Sequence, residues 1–326
     1  MKILIIGGTG NISRWLTHSL ALDGHDITLC NRGNAPLAFP GRVRLLKGDR
    51  TDRAGFRRNM AEAGCFDCVI DMVGFEMEDA QEAIAIFGGR TGQFIFCSTV
   101  DVYSKQQLHY PVPLDQPIHA SAGFPYAYKK MLMEKAFLAA HAGERFPITI
   151  IRPAATYSEG ISPLLTSFGR QLYHLSRLRR RLPVILHGDG SSIWVETHAS
   201  DVAMAFASAA GNPSTIGKCY NVTGDEWMTW RSMHIIVAEE LGAPAPDFVC
   251  IPSTTLGKLA PEESAWCLMN FQYNNIFDNS AAKQDLGYKY AVGYRDGVRR
   301  CLKALPMDAD METPPFYEMI LRQIIK

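Results

Sequence analysis

The sequence lacks an excess of charge of either sign, a long apolar run and any internal repeat. Its 326 residues include 33 Lys and Arg and 33 Asp and Glu, which give a formal net charge of zero. No global basic field is therefore available to attract nucleic acid or an anionic membrane surface. No apolar run reaches the roughly 18 residues of a membrane-spanning helix. The apolar N-terminus is short and broken by glycines, unlike a signal peptide, so we expect a cytoplasmic protein without membrane or nucleic-acid partners.

Clusters of metal ligands are also missing. The eight cysteines are scattered, and Cys30 and Cys97 lie inside apolar strand-like runs, where a free cysteine behaves as a small hydrophobic residue. Cys65 and Cys68 have redox spacing, but no helix follows Cys65 to lower the pKa of its thiol. The nine histidines are scattered as well. We therefore predict structural cysteines and no metal site.

Strand-like and helix-like segments alternate through the first 155 residues. The sequence predicts strands at 2–6, 26–30, 43–46, 68–73, 93–98 and 148–152, and helices at 11–22, 51–63, 79–87 and 126–141. This alternation with short loops predicts an α/β fold, a doubly wound parallel (Rossmann) sheet with right-handed crossovers. In such sheets, ligands bind beyond the carboxyl ends of the strands.

After residue 152 this rhythm changes, and proline, glycine and basic residues become frequent. We expect a dinucleotide-binding domain over residues 1–155 and a smaller, discontinuous substrate lobe over most of 156–326. A predicted helix near 198–210 indicates that the segment of about 198–222 returns to the first domain.

A glycine loop follows the first predicted strand. It begins at Gly7-Gly, continues through Thr9, Gly10, Asn11 and Ile12, and opens the first predicted helix. The first glycine permits a tight turn, and the second lets the backbone approach a pyrophosphate that lies at the helix N-terminus. The strand–loop–helix context predicts that these residues bind a dinucleotide.

The end of the second predicted strand bears on the choice of cofactor. An NAD enzyme usually has a carboxylate here for the ribose hydroxyl, whereas this chain has Asn31 and Arg32. A guanidinium can bind a phosphate, so we predict an NAD(P) cofactor with a preference for NADP. Asp49, beside Arg50, either contacts the adenine or caps the following helix. Val73, at the end of the fourth predicted strand, is a further predicted cofactor contact at this edge of the sheet.

A threonine, a tyrosine and a lysine suggest a proton relay. Thr99 follows the fifth strand, and Tyr126 and Lys130 are four residues apart, which puts them on one face of a helix. Hydride transfer requires a proton to move at the same carbinol. The pKa of a free tyrosine is about 10, and a nearby ammonium together with an oxidised nicotinamide favours the phenolate.

These motifs resemble the extended short-chain dehydrogenases/reductases, which include nucleotide-sugar epimerases and dehydratases. The similarity includes the segments 94–103, 125–130, 151–153, 188–190, 198–201 and 220–224 and extends to about Leu302. It implies that Tyr126 is the acid/base, that Lys130 is its electrostatic partner and that Thr99 polarises the substrate oxygen. It also implies that Tyr126, Lys130 and Pro153 contact the cofactor.

Dehydratases of this family have an acid and a base directly after the threonine. The corresponding positions here are Val100, which has no proton to donate, and Asp101. This pattern disfavours a standard dehydratase, but Asp101 could still abstract a proton, or it could simply stabilise a loop. In the family pattern, His198 and Asp201 link the two lobes rather than bind a metal.

The predicted substrate site departs from the epimerase pattern at two positions. Trp194 replaces the arginine that binds the diphosphate, and Ala155 replaces an asparagine that contacts the nucleotide sugar. A tryptophan can stack on a base or a sugar. The basic run from Arg177 to Arg181, with Arg170 upstream, could supply replacement cations, so Arg177 is a candidate substrate residue.

We predict an NAD(P)-dependent oxidoreductase or epimerase that acts on a secondary alcohol of a sugar nucleotide or related polyol. Two alternatives stay open, a dehydratase that uses Asp101 and a non-catalytic family member that binds NAD(P) or RNA. A homodimer is compatible with either class.

Overall fold

The computed structural model describes residues 1–143, 146–306 and 311–325 of the chain. The N-terminal half alternates strands and helices. In chain order these are β1 (Lys2–Ile6), α1 (Ser13–Leu22), β2 (Asp26–Asn31), β3 (Arg42–Lys47), α2 (Arg53–Ala63), β4 (Phe66–Asp71), α3 (Met77–Phe87), β5 (Thr91–Cys97), α4 (Pro125–Ala142) and β6 (Ile148–Pro153). Each predicted strand and helix of this half is present, with bounds shifted by at most two residues.

Shorter elements make up most of the second half. They are β7 (Ala155–Tyr157), α5 (Tyr173–Arg179), β8 (Val184–His187), β9 (Ile193–His198), α6 (Ala199–Ala209), β10 (Cys219–Val222), β11 (Trp227–Thr229), α7 (Trp230–Glu240), β12 (Phe248–Ile251), α8 (Ser253–Leu259), α9 (Ser280–Leu286), α10 (Tyr294–Ala304) and α11 (Pro315–Ile324). One-turn 3-10 helices lie at Val100–Val102 and Pro213–Thr215, and a π-helical turn spans Cys267–Phe271.

The central sheet has seven strands in the order β3-β2-β1-β4-β5-β6-β10. All of its pairings are parallel. Side chains alternate across a strand, so Ile3 and Ile5 pack into the cluster under α1 and α6, whereas Leu4 and Ile6 pack into the opposite cluster. Burial on both faces explains the continuous apolar runs and confirms the predicted doubly wound fold.

The order in which strands are added to the sheet reverses between the neighbouring strands β1 and β4. Strands after β1 extend one way through β2 and β3, and later strands extend the other way through β4, β5 and β6. Ligands of open α/β sheets bind at this switch point, beyond the carboxyl ends of the strands. The loops after β1, β2 and β4 therefore surround a crevice.

The second half of the chain forms a lobe over this edge. It contains a three-stranded sheet of β7, β9 and β11 and a two-stranded sheet of β8 and β12. Between these elements, β10 pairs with β6 of the central sheet, and α6 packs against α1. In the described residues, no helix is both long and apolar enough to cross a membrane.

Candidate active site

A cleft of about 720 Å³ lies at the switch point. Ten of the predicted cofactor residues line it, namely Gly7, Thr9, Gly10, Asn11, Ile12, Asn31, Arg32, Asp49, Arg50 and Val73. The other three lie elsewhere. Tyr126 lines a neighbouring cavity, Lys130 is buried, and Pro153 ends β6 in the sheet.

The glycine loop turns sharply at the end of β1. Gly7 and Gly8 have φ values of +109° and +90°, a region that favours glycine. A Cβ on Gly8 would lie 2.5 Å from Leu29 Cδ2, so this backbone is packed directly against β2. Asn31 Nδ2 donates to Gly7 O at 2.9 Å, and Asn31 Oδ1 accepts from Gly33 N at 2.8 Å. Asn31 thus fixes the loop instead of presenting a free amide.

The residues of this loop fit a dinucleotide. Helix α1 begins without a side-chain cap within the described chain, and uncapped N-terminal amides form an anion site with the helix dipole. Ser13 stands where a third glycine is common, and its Oγ accepts from Gly10 N at 2.9 Å. The buried hydroxyl of Ser13 therefore stabilises the conformation of the loop.

Arg32 and Asp49 face each other at the outer end of the cleft. Asp49 Oδ1 accepts from both the backbone and the hydroxyl of Thr51, at 2.9 and 2.8 Å. These hydrogen bonds, and then the charge of Arg32, lower the pKa of Asp49. Asp52, not Asp49, caps α2, since it accepts from Gly55 N. Of the two roles predicted for Asp49, capping of the helix is therefore contradicted.

Arg50 lies deeper in the cleft and is held by carboxylates. Its guanidinium forms ion pairs with Asp71 at 2.8 Å and with Asp79 at 3.0 Å. Arg53 and Glu82 extend this network along α2 and α3. Because both partners of Arg50 are buried, its charge is largely neutralised by the protein, and the pairs fix the wall of the cleft.

Thr99 and Tyr126 meet in a second cavity of about 270 Å³. Thr99 follows β5 and caps the 3-10 turn, while Pro125 at the first position of α4 starts the helix that carries Tyr126. Both residues line this cavity, and the side chain of Thr99 acts to lower the pKa of the Tyr126 phenol. Thr156 lines both the cavity and the larger cleft, so the two spaces meet at this residue.

Lys130 lies one turn beyond Tyr126 and is fully enclosed. Its Nζ donates to Cys97 O at 2.7 Å and lies 4.6 Å from the ring centre of Phe75 and 4.7 Å from that of Phe96. The ammonium is therefore directed toward the end of β5 and the rings of Phe75 and Phe96. It is stabilised by one carbonyl and two ring faces.

Burial shifts the pKa values of both relay residues. The pKa of Tyr126 is raised, first by desolvation and then by the charges of Asp101 and Cys97, while the side chain of Thr99 opposes this shift. Desolvation lowers the pKa of Lys130. The phenol is consequently protonated near neutral pH, which makes it a proton donor before any cofactor charge acts on it.

Asp101 borders the cavity, but its carboxylate is engaged. Asp101 Oδ1 forms an ion pair with Lys105 Nζ at 2.6 Å, and Lys105 also donates to Asn275 Oδ1 at 3.1 Å. The backbone N–H of Asp101 donates to Thr99 Oγ1 at 3.2 Å. Val100 is buried and apolar, so the preceding position supplies no acid.

A buried polar network holds α4 against the sheet beneath this cavity. Arg152 on β6 donates to both oxygens of Glu134 on α4, with Nη2 2.6 Å from Oε2. Arg152 Nη1 donates to Tyr103 Oη at 2.7 Å, and Tyr103 Oη donates to Asn221 Oδ1 at 3.1 Å. These bonds position the helix of Tyr126 and the loop after Thr99.

Two predicted substrate residues, Ala155 and Trp194, line the cavity together with Thr99. Trp194 Nε1 donates to Glu196 Oε1 at 3.2 Å. Arg170 also lines the cavity, where it forms an ion pair with the fully buried Glu196. Of the predicted set of replacement cations, Arg170 therefore lines the cavity that also contains Thr99 and Tyr126.

Arg177 does not reach the cavity, which contradicts its predicted role. It is buried, its guanidinium forms an ion pair with Glu318, and it donates to Pro183 O at 3.0 Å and Thr313 Oγ1 at 3.0 Å. The guanidinium carbon lies 4.5 Å from the ring centre of Tyr317. Arg177 thus anchors α11, because its partners come from the C-terminal segment.

Sequence patterns missed several residues of the cavity. Trp266, Asn270 and Phe271 come from the segment around the π-helical turn, and Thr156 joins the two spaces. The segment contains no motif that could have identified these residues. Only tertiary packing brings the turn, which follows α8, against Tyr126.

Two further predictions concern His198, Asp201 and the cysteines. Asp201 Oδ2 accepts from Ala291 N and Val292 N, and His198 Nε2 lies 3.2 Å from Glu159 Oε2. These contacts join α6 to the second lobe. All eight cysteines are free, and no group of three or more potential metal ligands occurs in the described segments.

The sheet, the glycine loop and the cleft define the class of Rossmann-fold dinucleotide-binding enzymes. The chain belongs to the NAD dependent epimerase/dehydratase family, which it matches over residues 3–223. This membership confirms the predicted resemblance and an NAD-dependent enzyme.

Known proteins similar to this chain have different named roles. Stem-loop binding protein of 41 kDa b from the chloroplast of Arabidopsis thaliana is 29% identical over 262 residues, which cover 76% of this chain and 65% of that protein. The chain thus spans slightly less than two thirds of the plant protein's length. The 2'-dehydrokanamycin reductase of Streptomyces kanamyceticus is 26% identical over 283 residues, which cover 85% of this chain and 77% of that enzyme.

A solved structure of UDP-glucuronic acid 4-epimerase from Bacillus cereus, in complex with NAD, is similar in fold. The TM-score is 0.70 at 18% identity, and the match covers 93% of this chain and 98% of that one. At this identity the likeness supports the shared fold, while the reaction has to be argued from the site.

Proposed function

We propose that the protein is an NAD(P)-dependent oxidoreductase or epimerase that transfers hydride at a secondary alcohol of a polyhydroxylated substrate. The observation that carries the proposal is that Thr99 and Tyr126 line one cavity, and that this cavity shares Thr156 with the glycine-loop cleft. Such a cavity lets one carbinol contact a proton relay and a dinucleotide together.

The residues of the cleft would hold the cofactor by its pyrophosphate on the loop and the start of α1. A bound nicotinamide supplies the hydride donor or acceptor. Tyr126 exchanges a proton with the carbinol oxygen, and Thr99 hydrogen-bonds that oxygen and orients it. Lys130 places a positive charge behind the relay, which favours the phenolate whenever the proton leaves Tyr126.

Two alternatives fit less well. A dehydratase would use Asp101 as base, but the carboxylate of Asp101 is paired with Lys105. The Arabidopsis relative is named as a stem-loop binding protein, and a nucleic-acid-binding role is the other alternative. Of the basic run proposed for that role, Arg177 is buried, whereas Arg180 and Arg181 are exposed, which leaves a smaller basic surface than the sequence suggested.

A cytoplasmic location, a homodimer and the preference for NADP stay predictions. Arg32 at the outer end of the cleft supports the choice of NADP, because a guanidinium can pair with a 2'-phosphate. The family itself is NAD dependent, so the direct comparison of the two cofactors decides this point.

Tyr126→Phe tests the proposed chemistry. It removes only the phenolic hydroxyl, so we expect turnover to fall by about 10²- to 10⁴-fold and the affinity for NADPH to stay nearly unchanged. Net reduction or oxidation of NADP(H) is followed with UDP-glucose, UDP-glucuronic acid, myo-inositol and kanamycin, and formation of an epimer, which leaves the cofactor unchanged overall, is followed by NMR of the same mixtures. Tyr128→Phe, on the same helix, is the matched control and should retain activity.

Wild-type turnover by Tyr126→Phe would reject the proton relay. Full complementation of a deletion strain by Tyr126→Phe, combined with salt-sensitive RNA binding, would instead support the non-catalytic alternative.

A further inference from the structure

Four aromatic side chains, those of Tyr126, Trp194, Trp266 and Phe271, form part of the walls of the 270 Å³ cavity. The ring centre of Trp266 lies 5.4 Å from that of Tyr126 and 6.1 Å from that of Phe271. The rings of Trp194 and Phe271 meet edge to face with centres 5.4 Å apart. Trp266 is 41% exposed, so it stands at the mouth of the cavity. Flat ring faces of this kind pack well against the C–H face of a saturated sugar or cyclitol ring.

The charges of the cavity are already paired within the protein. Among the described residues that line it, the charged ones are Asp101 and Arg170. Asp101 pairs with Lys105, and Arg170 pairs with the buried Glu196. A diphosphate would therefore have to compete with a buried carboxylate for the guanidinium, and it would lie against the carboxylate of Asp101.

Asn270 offers an unused hydrogen-bond acceptor. It lines the cavity and is 2% exposed, and its Oδ1 has no hydrogen-bond partner in the described part of the chain. A buried amide oxygen without a donor is unfavourable. Asn270 also lies on the π-helical turn Cys267–Phe271, an element that is rare and frequent at functional sites.

A further cavity of about 390 Å³ shares Asp101 in its lining with the 270 Å³ cavity. Its lining includes the polar side chains of Ser104, Gln106, His119 and Ser121. These groups can exchange hydrogen bonds with hydroxyls or amines. The accessible space therefore suits a substrate with a second polar ring.

We propose that the substrate is a phosphate-free polyhydroxylated ring compound, such as a glycoside or cyclitol, and that Asn270 is a specificity-determining residue that accepts a hydrogen bond from one of its hydroxyl or amino groups. This inference rests on the proposed function, because it assigns the ligand of the same cavity. It differs from the sugar nucleotide that the sequence motifs suggested. The aromatic walls bind the ring face, and the paired charges disfavour a diphosphate.

Binding is measured on the Tyr126→Phe protein saturated with NADP⁺, by calorimetry with myo-inositol, methyl glucoside, kanamycin, UDP-glucose and UDP-glucuronic acid. We expect at least one of the three phosphate-free compounds to bind tenfold or more tightly than either UDP-sugar. Because this readout needs no turnover, it is separable from the kinetic test of Tyr126.

Asn270→Leu keeps the approximate size of the side chain and removes the acceptor. We expect the affinity for the best phosphate-free compound to fall about tenfold, with Tm unchanged or higher since an unpaired polar atom is lost. Asn59→Leu, on α2 and outside the cavity, is the matched control. Glu196→Gln frees the guanidinium of Arg170 and should raise the affinity for UDP-glucose at least fivefold.

Tighter or equal binding of a UDP-sugar, or no binding of any phosphate-free compound, would overturn the substrate class. An unchanged affinity in Asn270→Leu would overturn the role of Asn270. If the wild-type protein is active and either of these results is obtained, the hydride-transfer proposal stands and only this inference is rejected.

Discussion

Tyr126 and Lys130 are one helical turn apart, yet burial shifts their pKa values in directions that oppose a phenolate. Desolvation raises the pKa of Tyr126 and lowers that of Lys130. The lysine ammonium is bonded to Cys97 O and does not contact the phenol through any bond in the described structure. A positive charge in addition to that of Lys130, such as an oxidised nicotinamide would supply, would favour the phenolate that the oxidation direction requires.

Arg32 is the residue on which the proposed preference for NADP depends. It is exposed and lines the cleft, so Arg32→Ala should weaken NADP binding by about tenfold, the lower end for a charge-assisted hydrogen bond. The affinity for NAD should change little. Calorimetric titration of both cofactors checks this prediction, with Arg42→Ala on β3 as the exposed control. Equal losses for the two cofactors would show that Arg32 does not bind the 2'-phosphate.

At the scale of elements, the glycine loop connects the sheet to the second lobe. Asn11 Nδ2 donates to Thr156 Oγ1 at 3.1 Å, and Asn11 Oδ1 accepts from Ser158 Oγ. Arg14 on α1 donates to Ser158 Oγ at 2.6 Å and also to Glu159 O. A distortion of the loop would thus disturb both the pyrophosphate site and the entrance to the cavity.

Gly8→Ala should damage this connection. The φ of +90° and the contact with Leu29 predict a loss of about 1–3 kcal/mol in the free energy of unfolding, together with weaker dinucleotide binding. Gly64→Ala is the matched control, because Gly64 has φ +84° and an added Cβ would meet no heavy atom within 4 Å. It should lose similar stability and keep its cofactor affinity. Denaturant unfolding and titration with NADPH measure both effects, and normal binding by Gly8→Ala would contradict the prediction.

The elements that sequence patterns predicted well are those with local signals. The strands around β1, the glycine loop and the helix of Tyr126 follow from apolar runs, turn residues and i, i+4 spacing. Arg177 was assigned to the substrate because its basic run could supply cations in place of the missing arginine, but its partner Glu318 is 141 residues away. Asn270 gave no signal, since its importance arises from packing of a π-helical turn against a distant helix.

At the scale of the whole molecule, the second lobe buries neutral histidines. His187 and His234 are 2% and 0% exposed, and desolvation lowers the pKa of each from 6.5 to about 4. His174 is also fully buried, and desolvation lowers its pKa as well. As the pH falls below 6.5, the unfolded chain binds protons that the folded chain excludes.

The lobe should therefore lose stability in mild acid. Between pH 6.5 and 4, His187 and His234 should each lower the free energy of unfolding by about 1.4 kcal/mol per pH unit, and this stabilisation should be fully present above pH 6.5. Urea unfolding at pH 7, 6 and 5 measures the slope. His234→Gln should reduce it, and the exposed His18→Gln is the control. A free energy of unfolding that does not change from pH 7 to 5 would refute the buried neutral state.

The most direct test of the account is a crystal structure of the protein with bound NADP⁺. The account predicts the pyrophosphate at the start of α1 and the nicotinamide at Thr156, with Tyr126 Oη and Thr99 Oγ1 directed at the same point beside the reactive ring carbon. A substrate oxygen at that point would lie about 2.6–3.2 Å from both hydroxyls. A bound cofactor whose nicotinamide lies away from this cavity, or a phenol turned from it with no rotamer that returns, would contradict the central claim.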